Sequence, residues 1–224
     1  MTSRLDDTIQ PKVGSAFRRL NGNLMNSRNA VFNPLVTEPT DTQLMRLRCD
    51  SQSTCFYADM SHYLDRRIPG FQQFSLLDVG PRTGSGLALL RLMHHPGAFC
   101  RLKFDPVAGI DIDPSFEAIT RLEFPDIQAL TGDIFDIEEN SWDVVICSHT
   151  IEHVEEAEAF VQQLIKVARR YVVIACPFNE KDRIPGHVRT IDYEFFHGLG
   201  FDDIHVYASP QWHSGMVCLA MKQL

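Results

Sequence analysis

The sequence predicts an α/β fold: a mainly parallel sheet with helices on both faces and an antiparallel hairpin at its C-terminal end. Three observations carry this. From residue 75 onward, short apolar runs alternate with segments of helical period, the pattern of a parallel sheet wrapped by helices. The apolar run at 76–79 leads into Gly80, Gly84 and Gly86 and then a leucine-rich helical stretch, so a buried strand turns sharply into a helix there. Residues 201–222 hold two strand patterns with no helix between them, which makes them an antiparallel hairpin. The chain has 224 residues, enough for one α/β domain with its own core.

Residues 1–60 are rich in Asn, Thr, Ser and Pro, and Asn33-Pro34 and Glu38-Pro39 mark turns. They read as an N-terminal extension or substrate cap, with the folded domain at 61–224. A short helix is predicted at 59–67, just before the first strand. Seven strands follow, near 75–79, 106–111, 127–130, 142–147, 171–176, 203–208 and 215–222. Helices fall near 85–95, 114–122, 154–169 and 191–198. The helix at 154–169 is the clearest, because Ala157, Phe160, Val161, Leu164, Ile165 and Ala168 recur on one face. Glu155, Glu156 and Glu158 near its start suit the helix dipole and need no other role.

Composition narrows the function. The formal net charge is −8, so the chain lacks the basic face that broad nucleic-acid or anionic-membrane binding requires. Lys12, Arg18, Arg19 and Arg28 form the best candidate for a local basic patch and read as a solvated segment. Six cysteines show no Cys-x-x-Cys pair, hence no zinc framework or disulfide grid. The N-terminus has no apolar signal core, and the longest apolar run, 171–176, is too short to span a bilayer. The expectation is a cytoplasmic protein, monomer or homodimer, with no membrane partner and no nucleic-acid substrate.

The glycine loop says which ligand to expect. Asp78-x-Gly80-x-x-x-Gly84-x-Gly86 matches neither the dinucleotide fingerprint Gly-x-Gly-x-x-Gly nor a P-loop. Three further segments follow in order. Residues 107–111 read as a strand ending in Asp111, a carboxylate placed to accept ribose hydroxyls. Asp113-Pro114 supplies the next helix cap and frees Asp111 for a ligand. Then come Leu130-Thr131-Gly132-Asp133-Ile134 and the buried strand Ser141-Trp142-Asp143-Val144-Val145-Ile146-Cys147-Ser148.

Together these resemble class I S-adenosylmethionine (SAM)-dependent methyltransferases, with the loop as motif I and the last strand as motif IV. The resemblance implies a Rossmann-like methyltransferase fold with SAM as cofactor. It places Asp78, Gly80, Pro81, Arg82, Thr83, Gly84, Asp111, Ile112, Gly132, Asp133, Ile134 and Ser148 in the cofactor site. Asp133 would take the adenine amino group and Ile134 would pack on the ring. One departure stands out: Arg82 occupies the middle glycine position. If its backbone is left-handed, a non-glycine costs about 1–2 kcal/mol there; alternatively Arg82 reaches the SAM carboxylate.

Ligands in open α/β sheets bind beyond the carboxyl ends of the strands. The loops there bring Ser148-His149-Thr150-Ile151-Glu152-His153 towards Gly186-His187-Val188-Arg189-Thr190. His149, His153 and His187 are the candidate catalytic residues, since a histidine suits proton removal near neutral pH. A competing reading has His149, Glu152, His153 and His187 bind a divalent ion, with a loose resemblance to small-RNA 2′-O-methyltransferases; a metal is not expected. A third leaves Glu-His as loop support. The C-terminal part, His187 to Thr190 and then Phe195-Phe196 and Gly200-Phe201, resembles ubiquinone-biosynthesis-like small-molecule methyltransferases. No Asn-Pro-Pro-Tyr or Asp-Pro-Pro-Tyr follows the fourth strand, which argues against amino-directed base methylation. The expected activity is methyl transfer to a small-molecule acceptor, at oxygen. The rivals are a non-catalytic SAM-binding partner or sensor module, a metal-assisted O-methyltransferase, and, disfavoured by glycine spacing, a nicotinamide oxidoreductase.

Overall fold

The structure is a computed structural model, and it describes residues 50–212 and 215–224. Most of the proposed N-terminal cap, 1–49, lies outside the described residues. The chain runs α1 (Ser51–Arg67), β1 (Gln72–Val79), α2 (Ser85–Met93), β2 (Leu102–Asp111), α3 (Pro114–Glu123) and β3 (Gln128–Thr131). It continues with β4 (Trp142–Ser148), α4 (Ala157–Val167), β5 (Ala168–Pro177), α5 (Tyr193–Gly198), β6 (Asp203–Ala208) and β7 (Met216–Gln223). Short 3-10 turns form at Ile134–Asp136, Ile151–His153 and Pro210–Trp212.

The seven strands make one sheet in the order β3-β2-β1-β4-β5-β7-β6. The first five pair in parallel. β7 runs antiparallel to both β5 and β6, so the C-terminal hairpin expected from the missing helix is present. Strand order reverses between β1, which pairs β2 on one side and β4 on the other. A crevice opens at such a switch point, and ligands bind there.

The central strands read as continuous apolar runs because both faces are covered. Alternate side chains enter different cores. Leu76, Val144, Ile146 and Val173 join Phe56, Met60, Leu64, Leu87 and Leu90 of α1 and α2. Leu77, Val145, Cys147, Val172 and Ile174 join Phe160, Val161 and Leu164 of α4. Each such side chain, fully buried, contributes about 1.5–3 kcal/mol.

Two helices differ from the sequence reading. The helix predicted at 59–67 begins eight residues earlier, at Ser51, so it runs through the domain boundary drawn at residue 60. Asp50 caps it by accepting from the Ser53 amide at 3.1 Å. Phe56, Met60 and Leu64, spaced by four, form the buried stripe that holds it. The helix predicted at 154–169 is shorter, Ala157–Val167. Residues 154–156 instead link the 3-10 turn Ile151–His153 to the helix, and β5 begins directly at Ala168.

Candidate active site

The glycine loop leaves the buried end of β1 and is shaped by its backbone. Gly80 and Gly84 both sit in the left-handed region, at φ 78° and 77°, where glycine carries no steric cost. A Cβ on Gly80 would run into the Thr150 side chain. Arg82 also adopts φ 55°, so the middle position of the loop is left-handed despite its side chain. The Arg82 side chain is exposed, and its charge acts on His153. Gly86 serves a different neighbour: a Cβ there would collide with the Tyr57 ring.

Asp111 ties this loop to β2. Its Oδ2 accepts from the Arg82 amide at 3.2 Å and its Oδ1 from the Asp113 amide at 2.8 Å. A carboxylate offers only acceptors, the chemistry that ribose hydroxyls require. Asp113 caps α3 as expected, accepting from the Ser115 amide at 3.0 Å. Asp133 is buried at the end of the short β3, and accepts from the Phe135 amide at 3.1 Å. Burial pushes its carboxyl up to about 6. Ile134 is 2% exposed and belongs to the core. Phe135, 45% exposed, is the apolar side chain left accessible beside Asp133.

Asp78 is fully enclosed at the floor of the crevice. The Tyr57 hydroxyl donates to its Oδ2 at 2.5 Å, while its Oδ1 is buried without a hydrogen-bond partner among the described residues. Burial pushes the carboxyl up to about 7; the charge of Asp111 adds to this and the Tyr57 bond opposes it. An orphaned buried acceptor costs about 1–3 kcal/mol, and a cationic donor satisfies it. The positive ammonium of SAM's methionyl group is such a donor. This orphaned oxygen, the two left-handed glycines and the acids ending β2 and β3 fit SAM, which supplies an electrophilic methyl group on its sulfonium.

The neighbouring loops carry an aromatic and imidazole cluster. His149, just beyond β4, adopts φ 52°. It is stacked by Phe56 of α1 at 3.7 Å between ring centroids, and the Trp212 ring lies 5.8 Å away. Its Nδ1 faces Ser148 Oγ at 3.2 Å, and its Nε2 is buried without a partner among the described residues. Burial pushes its pKa down to about 3, so the ring is neutral. His153 and His187 meet edge to face at 4.8 Å, and Trp212 lies parallel to His187 at 5.5 Å. Burial lowers the pKa of His153. Glu152 is 1% exposed with Oε2 unpartnered among the described residues, and burial pushes its carboxyl up to about 8.

The structure thus gathers His153, His187 and Glu152, and sets His149 beside them under α1. Four contributors were not assigned from the sequence: Phe56 and Tyr57 on α1, Glu180, and Trp212. The Phe56-Met60-Leu64 spacing behind Asp50 was the available signal for the first two. Trp212 comes from the loop between β6 and β7 and carried no local signal. Gln52 donates to the Gln211 carbonyl at 2.9 Å, so α1 and this loop close over the cluster together. Among the described residues, no helix is long and apolar enough to cross a membrane.

Comparisons with known proteins agree with this geometry. Residues 77–176 match the family model described as a methyltransferase domain. A SAM-dependent methyltransferase from Aquifex aeolicus superposes with a TM-score of 0.56 at 18% identity, covering 85% of this chain and 98% of that one. Magnesium protoporphyrin IX methyltransferase from Synechocystis PCC 6803, with bound SAH, gives 0.53 at 16% identity, covering 92% of both chains. A Haloferax volcanii protein described as a methyltransferase, in complex with the Trm112 activator, gives 0.59 at 14% identity, covering 81% of this chain and 93% of that one. No curated protein matches the sequence. Residues 77–176, from the end of β1 through β5, thus match a methyltransferase domain, and the surrounding fold is shared with solved SAM-dependent methyltransferases.

Proposed function

We propose that this enzyme transfers the methyl group to oxygen of a small-molecule acceptor held between the glycine loop and the histidine cluster. One observation carries the reading. The loop after β4, which carries His149 and His153, packs Thr150 against Gly80 of the glycine loop, and His187 of the 186–189 segment meets His153 edge to face. The Val188 amide donates to the Glu152 carbonyl at 2.8 Å, which locks the two loops together. Phe56 stacks on His149, and Trp212 lies parallel to His187. Methyl transfer asks chiefly for alignment and dryness, and neutral ring nitrogens suit contact with a hydroxyl. In this reading Asp78, Asp111 and Asp133 hold SAM, while His149, His153 and His187 face the acceptor. Calorimetry with SAM and S-adenosylhomocysteine, followed by mass spectrometry of methylated products from a metabolite extract, tests it. Absence of cofactor binding, or binding indifferent to Asp111→Ala, sinks it.

The left-handed backbone of Arg82 favours a second reading, a SAM-binding sensor without turnover. Strain of about 1–2 kcal/mol at the loop's centre is retained where positioning, rather than rate, matters. Detected methyl transfer removes this alternative.

A further inference from the structure

Glu152, His153 and His187 each bring one ligand atom to within 4.8 Å of the others. The surroundings orient all three. His153 Nδ1 donates to the Gly186 carbonyl at 2.9 Å, which leaves Nε2 with its lone pair. His187 Nδ1 donates to Glu180 Oε2 at 2.5 Å, leaving Nε2 likewise. Glu152 offers a buried oxygen that has no partner among the described residues. The Val188 and Arg189 amides both donate to the Glu152 carbonyl, at 2.8 and 3.4 Å. Trp212, parallel to His187 within 4°, keeps that ring from turning. A general base needs one oriented imidazole. Two imidazoles, each fixed through Nδ1 by an oxygen acceptor, together with an orphaned carboxylate at the same point, exceed that need.

We infer that this trio is a binding site for one divalent first-row transition metal ion. Two imidazole nitrogens and a carboxylate suit such an ion rather than magnesium or calcium, which prefer all-oxygen sets. The Nδ1 bonds to Gly186 and Glu180 are the outer contacts that fix tautomer and ring orientation around a metal. Ligands about 2.1 Å from one ion stand roughly 3–3.5 Å apart, so the side chains close by about an ångström on binding. His149 is not a ligand; it is stacked against Phe56 and stands outside the trio. Three protein ligands leave a position open for an oxygen atom. That this oxygen is the acceptor's rests on the proposed reaction; the site itself rests on the trio.

The test uses tag-free full-length protein stripped with a chelator and titrated with cobalt(II), read by visible ligand-field absorption. S-adenosylhomocysteine binding is measured calorimetrically on the same samples. One cobalt per chain with a ligand-field band is expected. Glu152→Gln and His187→Ala abolish the band while cofactor binding certifies the fold. Glu180→Gln weakens cobalt binding about 10–100-fold, and His149→Asn leaves the band in place. A natively folded protein with no band overturns the inference, and so does a band that survives both Glu152→Gln and His187→Ala. Loss of cofactor binding with the band intact removes the methyltransferase reading and leaves the cation site standing.

Discussion

The proposed cofactor edge and the proposed acceptor edge of this crevice are built from different materials. The cofactor edge is mostly backbone and short acids: two left-handed glycines, Asp78 at the end of β1 and Asp111 at the end of β2. Its parts lie within one strand-turn-helix unit and the next strand. The acceptor edge is made of side chains from four distant segments: Phe56 on α1, His149 to His153 after β4, Glu180 to His187 after β5, and Trp212 after β6. The difference teaches which part of such a site is fixed by local chain geometry and which only by tertiary packing. It also says how each edge fails. A backbone edge breaks at single glycines, whereas a side-chain edge weakens piecemeal.

The largest expected effect follows directly. Gly80→Val puts a branched side chain at φ 78° and into Thr150. Strain alone is about 1–2 kcal/mol, and the collision adds to it, so SAM affinity falls by roughly 100-fold or more. Calorimetry checks this. Affinity within threefold of wild type would show that side chains, not the loop backbone, set cofactor binding. The matching change on the other edge is Trp212→Ala. Losing the plane against His187 raises the acceptor KM about tenfold, worth about 1.4 kcal/mol, with SAM binding unchanged. Steady-state kinetics with each substrate varied separates the edges; a parallel loss in both would erase the distinction.

Tyr57 and Asp78 sit where the edges meet, and their response to pH sharpens the comparison. The Asp78 carboxyl is raised to about 7 in the folded chain, chiefly by burial. The folded state therefore holds that proton more tightly than the unfolded one. Any stability tied to it is present below the unfolded pKa near 4 and lost as pH rises towards 7. Asp78→Asn removes the titration, so its melting temperature relative to wild type should climb between about pH 4 and 7 and level off above that. One group changes stability by at most about 1.4 kcal/mol per pH unit. A pH-independent difference refutes the description of Asp78 as a buried carboxyl whose proton the fold holds. Tyr57→Phe leaves Asp78 without its donor and costs about 1–3 kcal/mol.

His94 titrates with the opposite sign. It is buried between α1 and β2, with Nδ1 donating to the Leu102 carbonyl and Nε2 facing the Ser61 hydroxyl, both at 2.8 Å. Burial lowers its pKa, so its contribution is present above about 6.5 and is lost as pH falls. The wild type should therefore weaken towards acid through His94, and His94→Asn should flatten that limb of the melting profile.

Legibility in the sequence follows the same division. The strands were readable because central parallel strands are apolar on both faces, as at 144–147 and 172–174. The acids assigned to the cofactor were readable because each stands at or just beyond the end of a strand, and Asp113 as a cap could be told from Asp111 by the proline after it. The start of α1 was not, because Ser51 to Cys55 is polar or half-buried and Asp50 declares itself only through its bond to Ser53. Ile134 was placed against the ligand by position in the motif, but the 3-10 turn rotates it into the core and leaves Phe135 outward. Trp212 and Glu180 were beyond reach: each meets His187 only through folding, and neither has a periodic neighbour.

Arg82 gives the smallest and most discriminating expected effect. It is the one non-glycine in the cofactor loop held at positive φ, at 55°. Arg82→Gly relieves about 1–2 kcal/mol of left-handed strain, but the freer unfolded chain takes back about 0.5–1 kcal/mol. The net gain is about 1 kcal/mol, or a rise of roughly 2–4 °C in melting temperature for a domain of this size. If Arg82 serves only as a tolerated departure, SAM affinity is unchanged and turnover is kept. If its guanidinium grips the methionyl carboxylate, the stabilised variant loses about tenfold in SAM affinity, since a charge-assisted bond contributes about 1.5–3 kcal/mol. Melting point and affinity then move in opposite directions. That split would move the cofactor edge partly into the class of sites built by side chains, because one long residue would be doing what the loop backbone does elsewhere.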